Sequence, residues 1–302
     1  MNTAEFESEE EQEESMKKAR VIAEIGCNHM GDMDLAKKFI RIAKDYCGVD
    51  AVKFQTRDVA TWAERYPDLY NAPHPNPANA YGDTYRAHRE YLEFDLEQNR
   101  ELKEYCEKMG ITYSTSVWDL PSAKRIASLN PEFIKIPSAC NTNSEMLIWL
   151  CENYEGEIQV STGMTTHDEV DNIIDIFEAR GRCKDLVVYN CTSGYPVPYK
   201  DVCLLEIRTL IERYGDKVKE IGFSGHHIGT AIDIAAYALG ATIFERHFTL
   251  NKQWKGTDHA ASLEPEEMKK LITDLGQASE ALNYKEKEIL DIEDAQRKKL
   301  KW

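Results

Sequence analysis

Short runs of β-branched and apolar residues alternate with longer amphipathic stretches from Val21 to about Tyr284. Eight runs read as strands: Val21–Gly26, Ala51–Thr56, Thr112–Trp118, Phe133–Ala139, Ile158–Met164, Leu186–Ser193, Glu220–His226 and Ala241–Thr249. Between them lie helical stretches such as Met33–Tyr46, where Leu35, Phe39, Ile42 and Ala43 make one apolar face, and Leu96–Met109, which stops at Gly110. Apolar positions three and four apart bury one side of a helix, and glycine takes the left-handed turn that ends it. Strands alternating with crossover helices make a parallel sheet, and eight alternations fit closure into one α/β domain, a (β/α)₈ TIM barrel spanning 19–285. The segment Thr61–Tyr91 breaks the rhythm. It is rich in Pro, Asn, His and Tyr, and reads as a long loop after the second strand that overhangs the barrel mouth. A merely decorative insertion is the alternative.

The flanks are polar: an acidic extension over 1–18, expected to be flexible, and a charged tail over 286–302. With 53 Asp and Glu against 37 Lys and Arg, the formal charge is −16. Phosphate backbones and anionic membranes are held by basic stripes, and none is present, so neither nucleic acid nor membrane is an expected partner. No apolar run approaches the roughly 18 residues of a membrane span, and the glutamate-rich start lacks the basic and apolar run of a secretory signal. A cytoplasmic protein is expected. The eight cysteines form no CxxC pair and read as buried or incidental free thiols.

In such a barrel the strand interiors are apolar, so polar side chains at the strand ends must be satisfied by a ligand, a metal or one another. Every strand ends in them. The first brings Glu24 and then Asn28 and His29, the second Lys53 and Gln55, the third Ser114 and Thr115, and the fourth Lys135 and Ser138. Ser161 and Thr162 end the fifth, Asn190, Thr192 and Ser193 the sixth, Ser224 and His226 the seventh, Glu245 and His247 the eighth.

Lys53 and Lys135 stand between apolar neighbours, in Ala-Val-Lys-Phe-Gln and Phe-Ile-Lys-Ile-Pro-Ser. A lysine that points into a barrel must meet an anion or lose its charge. Together with nearby hydroxyls the two make a cradle for phosphate or carboxylate. A Schiff-base lysine and a buried ion pair with Glu24 or Glu245 are the competing readings. His226 and His247 end neighbouring strands, which run about 5 Å apart, so two imidazoles could ligate one divalent metal with open positions left for substrate. A histidine pair by itself leaves the metal open.

At these residues the chain resembles the sialic acid synthase family, whose members condense phosphoenolpyruvate with an N-acylmannosamine or a related sugar. The matching motifs are Ile22-Ala-Glu-Ile-Gly-Cys-Asn-His-Met-Gly-Asp32, Ala51-Val-Lys-Phe-Gln55, Phe133-Ile-Lys-Ile-Pro-Ser138, Ser161-Thr-Gly-Met164, Cys191-Thr-Ser-Gly-Tyr-Pro196, Ser224-Gly-His226 and Glu245-Arg-His-Phe-Thr249. Tyr81–Phe94 and Trp254–Pro265 look most like the animal-type synthases that act on the sugar 6-phosphate. The resemblance implies that Lys53, Thr115, Lys135, Ser138, Ser193 and Ser224 hold phosphoenolpyruvate, that His226 and His247 bind Mn²⁺ or Mg²⁺, and that Glu24, Tyr195 and Asp258 face the sugar, with Gln55 also in the substrate site. It further implies that the enol C3 attacks the sugar aldehyde and that water captures C2 before phosphate leaves. Glu24 is the candidate for handling a proton.

Departures touch the phosphoenolpyruvate wall: Cys140 stands where relatives commonly have an acid, and Ser193 where some bacterial members have asparagine. The sequence stops at Trp302, where many relatives continue into an antifreeze-like domain that reaches over a partner's site and helps hold the N-acyl group. That leaves Thr61–Tyr91 as the segment to close the site and leaves a homodimer open. The expected function is a metal-dependent nonulosonic acid synthase acting on N-acetylmannosamine or its 6-phosphate. The same condensation on mannose or mannose 6-phosphate, and a catalytically silent sugar- or partner-binding barrel, are the alternatives.

Overall fold

Each apolar run buries both faces, one against the barrel axis and one against the helix that follows it, which is what a parallel strand requires. In the computed structural model, which describes residues 17–302, these runs form β1 (Arg20–Gly26), β2 (Ala51–Thr56), β3 (Thr112–Val117), β4 (Phe133–Ile136), β5 (Glu157–Ser161), β6 (Leu186–Cys191), β7 (Glu220–Gly225) and β8 (Ile243–His247). They pair in parallel in chain order, and β8 returns to β1 to close the barrel. The acidic extension expected over 1–18 lies, but for its last two residues, outside the described residues.

Four strands, β4, β5, β6 and β8, stop two or three residues sooner than their sequence pattern. The segment after β4 turns at Pro137 into a single 3₁₀ turn, Ser138–Cys140, because proline cannot donate to the ladder. Helix starts follow the expected chemistry: Asp32, Asp95, Asp119 and Thr166 each accept a hydrogen bond from a backbone N–H of the first turn. The first helix, Met33–Arg41, widens into a π-helical turn over Ile42–Cys47 that ends at left-handed Gly48.

Thr61–Tyr91 is not the loop expected. It folds into helices Val59–Arg65, Pro67–Asn71 and Tyr85–Leu92 with a 3₁₀ turn at Pro77–Asn79. Local caps drive this: Asp58 accepts from the Thr61 N–H, Asn76 from Ala78 and Thr84 from Ala87. The charged tail likewise carries a helix, Asp291–Leu300, with no buried residue. No helix among the described residues is long and apolar enough to cross a membrane, and all eight cysteines are free.

The barrel interior has two zones. Ile22, Ala51, Phe133, Val187, Tyr189 and Ile243 form an apolar cluster of their own inside the ring, separate from the larger core between strands and helices. Arg20 and Lys219 meet Glu157 and Glu220 at the amino end of the strands. Toward the carboxyl end the inward positions turn charged and polar.

Candidate active site

Inward positions recur every second residue, so the register fixes which side chains meet. Lys53 on β2 is level with Glu24 on β1 and Ser114 on β3. Its ammonium lies 2.5 Å from Glu24 Oε2, donates to Ser116 Oγ at 2.6 Å, and stands 3.7 Å from Glu245. Lys135 on β4 donates to Glu245 Oε2 at 2.7 Å and sits 4.0 Å over the Tyr189 ring. Both lysines are about 1% exposed and both face the axis. The buried ion pair left open by the sequence is therefore present for each of them.

Two ammonium groups and two carboxylates form one closed network. Burial lowers the Lys135 pKa, outweighing Glu245. Burial opposes ionisation of Glu245, but Lys135 and Lys53 hold its pKa down to about 2. Burial pushes Glu24 up to about 7, with Lys53 pulling against it and Glu245 adding to it. The protonated form of Glu24 thus favours the folded state between about pH 4.5 and 7, and its contribution to stability falls as the pH rises through that window. Glu24→Gln is expected to flatten this decline in the metal-free protein. Urea melts at a series of pH values check it, and an unchanged slope would remove Glu24 as the titrating group.

His226 and His247 lie beside this network with ring centroids 5.3 Å apart, and Tyr195 leans over both at 4.3 and 5.7 Å. His226 Nδ1 meets the Thr192 carbonyl at 3.0 Å, which makes Nδ1 the protonated nitrogen and leaves the lone pair on Nε2. Burial disfavours the charged form of His226, but Cys191 and that carbonyl leave its pKa raised. Burial keeps His247 neutral, its pKa lowered to about 4 against the pull of Asp258. His247 Nδ1 is buried without a hydrogen-bond partner, 3.8 Å from Asp258 Oδ2. Two imidazole nitrogens, one of them orphaned, fit a divalent ion held by few protein ligands. Among the described residues no group of three or more His, Cys, Asp or Glu side chains is arranged to hold a metal.

The remaining expected residues divide. Ser138 Oγ accepts from the Gly163 N–H at 3.0 Å, and a Cβ at Gly163 would come within 2.4 Å of Ser193 Oγ, so these two hydroxyls converge on a glycine. Ser224 Oγ donates to Glu245 Oε1 at 3.3 Å. Gln55 donates to Glu24 Oε1 at 3.0 Å, and Gly26, at φ +56°, leaves the space into which Glu24, Gln55 and Asp258 all reach. Thr115 is a correction. It lies on the outward side of β3, paired with Thr56 Oγ1 at 2.9 Å, and Ser116 is the β3 hydroxyl that meets Lys53. His29 also leaves the site: it stacks on Phe94 at 4.0 Å and accepts from the Gly31 N–H.

Above His247 opens a cleft of about 180 Å³ whose lining includes Gln55, Arg57, Arg89, Tyr195 and Asp258. Tyr81 of the helical insertion donates to the Lys255 carbonyl at 2.6 Å, so the insertion does overhang this mouth. Sequence reasoning passed over Arg57 and Arg89. Arg57 lies 3.6 Å over the Trp118 ring, donates to Gln55 Oε1 at 2.8 Å and shares the Glu93 carboxylate with buried Arg89. A larger cavity, about 500 Å³, lies beside the mouth between helices His167–Glu178 and Glu206–Tyr214. Ser193 is part of its lining, but neither lysine nor either of the paired histidines is.

Residues 39–287 match the description of the NeuB family. The chain belongs to that family. It is accordingly an enzyme, of the phosphoenolpyruvate-using synthase type that its motifs imply. It is 37% identical to human N-acetylneuraminate-9-phosphate synthase over 93% of this chain and 76% of that protein, and 35% identical to Campylobacter jejuni N,N'-diacetyllegionaminic acid synthase over 88% and 78%. Among solved structures, N-acetylneuraminic acid synthetase from Leptospira borgpetersenii, crystallised with citrate, superposes with a TM-score of 0.78 at 27% identity. That match covers 94% of this chain and 93% of the other.

Proposed function

We propose that this chain condenses phosphoenolpyruvate with N-acetylmannosamine 6-phosphate, forming a nine-carbon sugar acid 9-phosphate and releasing phosphate. The observation that carries the reading is the convergence of Lys53, Lys135, His226 and His247 on one inward rim beneath a cleft lined by Arg57 and Arg89. Lys53 and Lys135 bind the enol ester by turning from Glu24 and Glu245 toward its carboxylate and phosphate, with Ser116, Ser138 and Ser193 as hydroxyl donors. C3 of the enol bonds to the sugar aldehyde carbon, water adds at C2, and the C2–phosphate bond breaks. Glu24, poised to titrate near neutrality, takes up and returns a proton beside the sugar. His226 and His247 would hold a divalent ion, Mn²⁺ or Mg²⁺, whose bound form polarises the aldehyde oxygen.

The 6-phosphate reading rests on the cleft: two guanidiniums share one carboxylate, which leaves a cationic donor for a phosphate at the far end of the sugar. Arg57→Gln leaves Glu93 paired with Arg89. It should raise KM for the 6-phosphate about ten- to hundredfold, the size of a lost charge-assisted bond, and barely change KM for the free sugar. The direct test is phosphate release from phosphoenolpyruvate with N-acetylmannosamine, mannose and their 6-phosphates, with and without Mn²⁺. Turnover of the mannose pair alone would favour the non-acylated product, and silence across the panel would overturn the proposal.

A further inference from the structure

A second cluster of charged groups lies on the outward side of the barrel, behind the imidazole pair. The β7–β8 ladder ends at Gly225↔Arg246, one residue before His226 and one before His247. Beyond that point, the link between these two strand ends is a side-chain one. Arg246 turns away from the axis, donates to the His227 carbonyl at 2.7 Å and to the Gly229 carbonyl at 3.0 Å, and pairs with Asp233. His227 Nε2 stands 3.2 Å from Asp233 Oδ2 and 3.1 Å from Arg246 Nη1. Asp233 comes from the helix Ala231–Ala238, so strand, turn and helix meet on one guanidinium.

All three side chains are at most 1% exposed, and Arg246 Nε, His227 Nδ1 and Asp233 Oδ1 are buried without partners. Burying ions with polar atoms unsatisfied costs stability, and well-packed apolar residues would hold a core as firmly. Packing alone therefore does not account for the cluster. Its placement does: alternate residues of β8 and of the β7 turn send Glu245 and His247 inward and Arg246 outward, His226 inward and His227 outward.

We infer that Arg246, Asp233 and His227 form a positioning clamp that sets the separation of His226 and His247, and through it the affinity for a divalent cation. The inference rests on the metal-binding reading of the two histidines. Outer groups that orient metal ligands change affinity about 10- to 100-fold when removed. Asp233→Asn is expected to weaken Mn²⁺ binding, followed by the paramagnetic signal of free Mn²⁺, by about that factor, while kcat at saturating Mn²⁺ stays close to wild type. Arg246→Lys keeps the charge opposite Asp233 but replaces the planar fork, whose two nitrogens each reach one carbonyl, by donors on a single nitrogen. It should weaken binding in the same direction, and it decides the matter if Asp233→Asn does not fold.

A purely structural cluster would lower the thermal midpoint of these variants and leave Mn²⁺ affinity unchanged, which would overturn the clamp. Wild-type protein that binds no Mn²⁺ would overturn the metal reading instead. The clamp is then judged by crystal structures of the metal-free variants: an imidazole separation still at the wild-type 5.3 Å sinks it.

Discussion

His247→Ala lowers phosphate release by more than about a hundredfold and removes most Mn²⁺ binding while leaving the protein folded. The expected size follows from how little else is available. His226 is the one other imidazole in contact with His247 at this rim, and no cluster of three ligand-type side chains among the described residues stands ready to replace it. Asp258 reaches only to 3.8 Å of His247 Nδ1. The fold should survive because His247 is neutral, its pKa being lowered to about 4 by burial, so its removal takes no positive charge away from Asp258. Asp258, Tyr195 and His226 lose a neighbour, at a position next to the open cleft. Phosphate release and Mn²⁺ titration, with a thermal melt as control, check this. Near-normal turnover at saturating Mn²⁺ would remove His247 from the chemistry.

Lys135→Met should destabilise the metal-free protein by about 3–5 kcal/mol, the usual cost of breaking a buried pair from one side. Besides the Ser224 hydroxyl, Glu245 would keep only Lys53, at 3.7 Å and already engaged with Glu24. The sign of the pH dependence follows. With its pKa held near 2, Glu245 contributes stability above its ordinary titration range that is lost as the pH falls toward 2. Without Lys135 much of that contribution disappears, so the variant's deficit is largest at neutral pH and narrows in acid. Adding Glu245→Gln should recover a large part of the stability and none of the activity, since the uncompensated carboxylate is then gone but Lys135, one of the two cations proposed to hold phosphoenolpyruvate, is still missing. Urea denaturation of the single and double variants measures this. A single variant within about 1 kcal/mol of wild type would mean that the pair is not the closed network described.

The fold and most of the site were legible for a simple reason. A lysine inside an apolar strand of period two can point only to the axis or to the helices, and Lys53 and Lys135 both chose the axis. Parity could also have corrected Thr115. Lys53 is level with Ser114, so Ser114 and Ser116 face inward and Thr115 cannot. The insertion misled because Pro, Asn and His suggest loops, whereas Asp58, Asn76 and Thr84 use the same chemistry to cap short helices. Arg57 and Arg89 gave no periodic signal. Their importance comes from Glu93 and Trp118, which chain folding brings beside them.

Sequence alone determined the barrel, the inward lysines and the polar strand ends, because these follow from side-chain period and from the cost of burying charge without a partner. Only the tertiary structure decided that both lysines are already paired with Glu24 and Glu245, and that His226 and His247 stand 5.3 Å apart with Arg246 behind them. Those outcomes depend on the stagger between strands far apart in the chain. Local propensity carries no information about that stagger.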